Sequence, residues 1–309
     1  MREVQLGRTG MRVTEFIFGA GSIGESGSSG SGPGGGMTDV EALARLDEAF
    51  ARGIRVIDTA NSYGGGDSER AIGRWLESRN DMLITTKVGS ATASSAADGE
   101  DATDLSHDTI LEAAKASRER LGRFELYLTH APDGDTPVAE TIQAMNELVA
   151  DGITHAWGCS NITAEQLKTL LTEAERLGVR APGWVQNEFS LLVRDDEVQS
   201  ICSTAGLGYT GYSPLAGGIL AGGVLSDLDI DRSPAVQEAV SKLDSLAKDR
   251  GTSASSLALW WLRWHPSVTA TIVSPRLTTQ WEAVDRALAL DDDAALRSEI
   301  DGIFAPVVT

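Results

Sequence analysis

Short runs of apolar and β-branched residues recur along the chain: TEFIF (14–18), IRVID (54–58), MLITTK (82–87), FELYLTH (124–130), ITHAWGC (153–159), GWVQNEF (183–189), GYTGYS (208–213) and VTATIV (268–273). Their length and composition predict eight strands. Most of the stretches between them carry apolar residues at helical spacing: DVEALARLDEAFARG, DSERAIGRWLESR, SHDTILEAAKASRERLG, PVAETIQAMNELVADG and TAEQLKTLLTEAERLG, with TTQWEAVDRALAL after the last strand. Several open on Asp, Ser or Thr, which accept from the free amides of a first helical turn, and close at Gly.

Strand–helix alternation of this kind needs parallel strands joined by right-handed crossovers. Eight such units close most economically into a (β/α)8 TIM barrel, with an open doubly wound sheet as the alternative. The opening VQLGRTGMRV places two extended pieces around a Gly-Arg-Thr-Gly turn and predicts a β-hairpin closing the barrel bottom. Two stretches break the texture, GESGSSGSGPGGG (24–36) and SATASSAADGEDATD (90–104). They hold too little apolar surface to offset the entropy of ordering and read as mobile loops. Neither separates two full-sized segments, so residues 1–309 read as one barrel domain.

Composition then narrows the function classes. A formal charge of −19 argues against a nucleic-acid backbone or an anionic membrane as partner. No apolar run reaches the length of a membrane span. The two cysteines, Cys159 and Cys202, have neither disulfide-framework nor zinc spacing, and MREVQLGRTGMRV has no apolar signal core. These features together point to a cytoplasmic protein without a metal. The acidity reads as a solubilising surface, and no obligate protein partner is inferred.

Gly19-Ala20-Gly21-Ser22-Ile23-Gly24 matches the dinucleotide fingerprint G-x-G-x-x-G, but the fingerprint needs a helix to start inside it. Here the chain runs on into the Gly/Ser-rich stretch, so a glycine-rich loop at a barrel mouth is the better reading. In a barrel, chemistry collects at the C-terminal ends of strands. Asp58 ends the second strand, Lys87 the third and His130 the fourth, with Tyr63 in the loop after Asp58. Taken singly, Asp58 could cap a helix and Tyr63 could be a packing aromatic. Together they make chemical sense, because a phenol with an ordinary pKa near 10 is a poor proton donor at neutral pH unless a cation favours its anion. Lys87 can be that cation, Asp58 can hold it, and His130 can hydrogen-bond a carbonyl oxygen that Tyr63 protonates. A metal-dependent hydrolase built on His130 and Asp133 would need further ligands at strand ends.

The chain resembles the aldo-keto reductases. The resemblance rests on L-G-R-T-G (6–10), D-T-A-x-x-Y-G at Asp58–Gly64 with G-x-S-E at Gly66–Glu69, T-K-V-G around Lys87, L-Y-L-T-H-A-P-D around His130, G-C-S-N (158–161), Q-N-E-F-S (186–190) and Y-S-P-L-A (212–216). It implies a barrel that binds NADP(H) across its mouth, with NAD(H) left open, and reduces an aldehyde or ketone or oxidises the corresponding alcohol. Tyr63 is then the general acid/base, completed by Asp58, Lys87 and His130. Ser160, Asn161 and Gln186 would hold the nicotinamide carboxamide, Tyr212 would stack on the ring, and Ser213, Leu215 and Gly218 would meet the pyrophosphate. Arg276 would meet a 2′-phosphate, with Gln280 beside it. Val284 stands where the family pattern has Asn, and Gly217 and Gly223 stand where it often has Arg and Lys. A redox-sensing or regulatory NADP(H)-binding subunit is the alternative function.

Substrate choice falls to the loops at the mouth. Gly21, Ile23, Asn61 and Phe189 are expected to line a small, mostly neutral pocket. That composition favours a neutral carbonyl or alcohol over a carboxylate or sugar phosphate.

Overall fold

The computed structural model describes residues 1–24, 36–90, 103–222 and 233–308. It opens with β1 (Glu3–Gln5) and β2 (Arg12–Thr14), an antiparallel pair. Eight strands follow: β3 (Phe16–Gly19), β4 (Val56–Asp58), β5 (Leu83–Val88), β6 (Leu126–Thr129), β7 (Ala156–Ser160), β8 (Trp184–Glu188), β9 (Gly208–Tyr212) and β10 (Ala270–Val273). All pair in parallel, and β10 pairs with β3, so the sheet closes into a barrel. Both the barrel and the hairpin are as the pattern predicts. Most of the loops at 24–36 and 90–104, and Gly223, lie outside the described residues.

The helices are α1 (Asp39–Ala51), α2 (Asp67–Leu76), α3 (His107–Leu121), α4 (Val138–Ala150), α5 (Ala164–Leu177), α6 (Asp196–Ala205), α7 (Pro234–Asp249), α8 (Ala254–Trp264), α9 (Trp281–Ala289) and α10 (Ala294–Phe304). Local chemistry sets their starts. Thr38 and Thr163 each form a reciprocal capping box, with Glu41 and Gln166 respectively, which satisfies two otherwise free donors at the heads of α1 and α5. Among the described residues no helix is long and apolar enough to cross a membrane.

Strand periodicity sorts side chains to two sides. On β8, Trp184 joins the barrel-interior cluster with Ile17, Val56, Leu126, Leu128 and Ile272, while Val185 faces the helical layer. The hairpin contributes Leu6 and Val13, each 1% exposed, to that interior cluster and so plugs the barrel floor. Its turn is jammed against the strand bottoms: Gly7 has φ +46°, and a Cβ there would lie 2.0 Å from the Gly208 amide nitrogen. Only glycine fits both the space and the backbone.

A buried carboxylate fastens the plug. Glu15, 2% exposed, accepts from the Arg2 amide at 2.8 Å and Arg2 Nε at 2.6 Å, and from Arg263 Nε at 2.9 Å. Burial pushes its carboxyl towards the neutral form, but the Arg2 amide and the two guanidinium groups outweigh this and hold it below the ordinary carboxylate range. The guanidinium carbons of Arg2 and Arg263 lie 4.0 and 4.8 Å from the Trp264 ring.

Glu15→Ala would leave the Arg263 side chain, 9% exposed, without its counter-charge. Loss of one partner of such a pair costs about 3–5 kcal/mol, to be read from urea unfolding at neutral pH. Because the folded carboxyl is shifted down, its stabilisation is present above the unfolded carboxylate pKa and is lost as pH falls through the folded value. The gap between parent and variant should therefore close on acidification. An unchanged urea midpoint at neutral pH would show that the clamp contributes nothing.

Candidate active site

Three adjacent strands bring the charged groups together at the C-terminal mouth. On β5 the side chains of Thr85 and Lys87 point to the barrel axis, and that of Thr86 points out to Glu69 of α2. Lys87 is 1% exposed, and its Nζ donates to Asp58 Oδ1 at 2.5 Å, to the Thr59 carbonyl at 2.8 Å and to the Tyr63 hydroxyl at 3.2 Å. Burial works against the ammonium charge, but the Asp58 carboxylate and the Tyr63 oxygen outweigh it and hold Lys87 above the ordinary lysine range.

Tyr63 opens a short 3-10 turn, Tyr63–Gly66, directly ahead of α2. Gly64 and Gly65, with φ of 57° and 62°, let the chain double back so that the tyrosine faces Lys87. The G-x-S-E motif anchors this turn from behind. Ser68 Oγ shares a hydrogen bond with Thr59 Oγ1 at 2.8 Å, and the fully buried Glu69 accepts from Thr86 Oγ1 at 2.5 Å and Arg120 Nε at 2.6 Å.

His130 follows the last residue of β6, and its amide donates to the Val88 carbonyl at 2.7 Å. Its ring meets the Tyr63 ring edge-on, with centroids 5.6 Å apart and planes at 79°. Burial, helped by the Lys87 charge, pushes His130 down to about 3, so its imidazole is neutral at physiological pH. Its Nδ1 is buried without a hydrogen-bond partner. The other histidines do not reach this row. His155 precedes β7 rather than lying in it, and His265 packs on Trp261. Asp133, the other half of the hydrolase reading, accepts from the amides of Leu105, Asp135 and Thr136.

The opposite rim holds the groups expected to meet a nicotinamide. Ser160 Oγ donates to the Gln186 carbonyl at 2.6 Å, and Asn161, at φ +55°, donates Nδ2 to the His130 carbonyl at 2.7 Å. The Tyr212 hydroxyl donates to Asn161 Oδ1 at 2.6 Å, reaching past the end of β8. Gln186 Nε2 donates to Asp58 Oδ2 at 2.8 Å, a tie that sequence separation hides. Glu188, one in-facing position further up β8, has a buried Oε1 without a partner and a carboxyl pushed up by desolvation. After β9, Ser213 and Ala216 adopt φ of 51° and 49°, with Leu215 between them and Gly218 at φ +94° just beyond. Gln280 Oε1 accepts from the amides of Arg276, at 2.6 Å, and Leu277, at 3.0 Å, so this side chain shapes the turn that carries Arg276. Val284 is 1% exposed and belongs to the core, so that position offers no polar contact.

The expected pocket lining divides. Gly21 is partly exposed, and Asn61 is 9% exposed with its Oδ1 unpartnered beside the Tyr63 turn. Ile23 and Phe189 are both 0% exposed and present no surface to the mouth. Ile23 bridges to Met37, and Phe189 stacks on Trp261 with centroids 5.7 Å apart. No helix starts inside Gly19–Gly24, because α1 begins at Asp39. The dinucleotide fingerprint is thus a coincidence of glycines in a loop.

The sequence model of the aldo/keto reductase family matches residues 15–303. The chain belongs to this family. Among similar proteins, one from rice, a probable voltage-gated potassium channel subunit beta, is 29% identical over 97% of this chain and 94% of its own length. An uncharacterized oxidoreductase of Bacillus subtilis is 29% identical over 98% of this chain and 96% of its own. The NADH-specific methylglyoxal reductase of Escherichia coli is 30% identical over 74% of this chain and 71% of its own. In this aldo/keto reductase the row Asp58–Lys87–Tyr63–His130 sets a phenolic proton beside a fixed positive charge and a neutral imidazole.

The imidazole of His130 should show no protonation between pH 5 and 8 when its ring resonances are followed by NMR. Because its folded pKa lies below the ordinary value near 6.5, the unfolded chain takes the proton first, and stability should decline as pH falls from about 6.5 towards 3. A titration midpoint near 6.5 would mean that the ring is solvated and insensitive to Lys87.

Proposed function

We propose that the chain reduces an aldehyde or ketone by hydride transfer, or oxidises the corresponding alcohol or sugar, using a nicotinamide dinucleotide with NADP(H) preferred over NAD(H). One observation carries this reading. The Lys87 ammonium lies within hydrogen-bond reach of both the Asp58 carboxylate and the Tyr63 hydroxyl, with the His130 ring against Tyr63.

The rim suits such a dinucleotide by the chemistry of its groups. In a chain of net charge −19, residues 213–222 carry no charged side chain, so a diphosphate would meet the Ser213 hydroxyl and backbone amides rather than carboxylates. Ser213, Leu215 and Gly218 would hold it. Ser160, Asn161 and Gln186 supply the hydroxyl and amide groups that suit a carboxamide, and Tyr212 supplies an aromatic face. Arg276, in a turn fixed by Gln280, supplies the cation that a 2′-phosphate requires. The loss of a polar group at Val284 and the glycine at Gly217 leave fewer contacts for the adenine and phosphate end.

When bound, the reduced dinucleotide supplies the hydride. Tyr63 delivers its proton to the carbonyl oxygen, and the Lys87 charge stabilises the oxygen it leaves behind. Asp58 keeps Lys87 charged and in place. His130, neutral, offers an N–H to the same carbonyl oxygen. In the oxidative direction Tyr63 accepts the proton. Asn61 and Gly21 provide small, neutral lining, which favours a neutral carbonyl. The alternative, a regulatory subunit with little turnover, draws on the name of the rice relative. The complete acid–base row favours turnover.

Titration with NADPH and with NADH, followed by quenching of the seven tryptophans, should give NADPH at least about tenfold tighter binding. Tyr63→Phe should bind NADPH like the parent while losing about 10²–10⁴-fold in carbonyl reduction. Turnover by Tyr63→Phe at the parent rate would reassign the acid. Binding of neither nucleotide would overturn the function.

A further inference from the structure

The tie between Gln186 and Asp58 crosses the whole mouth. In the strand order β10-β3-β4-β5-β6-β7-β8-β9, three strands separate β4 from β8 on either side, so the two residues face each other across the barrel axis. Their side chains meet at 2.8 Å, although they lie 128 residues apart, and both are buried, at 3% and 4% exposure. A carboxylate offers only acceptors, so the Gln186 amide must turn its NH₂ towards Asp58. Asp58 Oδ1 is taken by Lys87 and Oδ2 by Gln186. The result is one continuous row, Gln186–Asp58–Lys87–Tyr63.

We infer that Gln186 is a positioning residue for the acid–base group. Its amide holds the second oxygen of Asp58, fixes the plane of that carboxylate, and so keeps Oδ1 and Lys87 aligned under the Tyr63 hydroxyl. The same bond fixes the orientation of the amide: one Nε2 proton goes to Asp58, and Oε1 remains an acceptor that suits the NH₂ group of a ligand. A donor received at Oε1 polarises the amide and strengthens the bond to Asp58. Occupancy of the rim thereby tightens the row that carries the proton. The consequence for catalysis rests on the reductase reading. The bond itself does not.

The test is a double-mutant cycle with Gln186→Leu and Asp58→Asn, reading kcat with a carbonyl that the parent reduces and the dissociation constant of NADPH by fluorescence. Gln186→Leu should lower kcat about tenfold or more in the parent and less than about twofold in the Asp58→Asn background. Its effect on NADPH affinity should be the same in both. Equal loss of kcat in both backgrounds would overturn the positioning role and leave Gln186 as a ligand contact only.

Gln186→Glu tests the bond without relying on turnover. Two carboxyl groups at this distance share a proton at low pH and repel each other when both ionise. The shared proton is held above the unfolded carboxyl pKa, so the variant should lose melting temperature relative to the parent as pH rises from about 4 to 8. Its kcat should fall over the same interval. A parent that reduced no carbonyl would sink the reductase reading while this melting comparison still decided the bond. A parent-like pH dependence of melting in Gln186→Glu would overturn it.

Discussion

A lysine whose ammonium is almost entirely withdrawn from water remains charged only if its surroundings replace the solvent. The mouth of this barrel is arranged around that requirement. Lys87 has three oxygen partners, drawn from Asp58, Thr59 and Tyr63, and together they satisfy its three protons. The neighbouring imidazole is driven neutral by burial and by the same charge. One residue earlier on β5, Thr86 engages a second buried carboxylate on the opposite side of the strand. A single strand thus carries two ionic systems, one facing the reaction space and the other fastening the helix that follows the tyrosine turn.

Much of this was legible in the sequence because the barrel is a repetition of local units. Period-2 runs and capped amphipathic stretches identify strands and helices without long-range information. The rule that chemistry gathers at strand C-termini then selects Asp58, Lys87 and His130. Edges were less legible. Thr14 belongs to the hairpin rather than to the first barrel strand, and His155 lies before its strand, because propensity does not mark where a ladder stops.

What pattern alone could not supply were contacts decided by distant segments. Phe189 lies just past the end of β8, where a residue can face either the mouth or the core. The choice is made by Trp261 of α8, which provides a stacking face seventy-two positions away. Gln280 reads as a ligand contact in sequence, yet its oxygen is engaged by the two amides of its own turn. The bond between Gln186 and Asp58 has no local signature, since neither residue type nor spacing announces a partner on the opposite strand.

The floor plug has a consequence for how the molecule is made. Arg2 and Glu15 are synthesised well before Arg263, whose guanidinium completes their cluster, and the strand that closes the sheet beside β3 is the last of the eight. A nascent chain holds this hairpin without a seat, and one edge of β3 without a neighbour, until Arg263 and β10 have been translated. Vectorial synthesis therefore gives the hairpin and β3 a long exposed interval, and closure of the sheet is a contact of very high sequence separation.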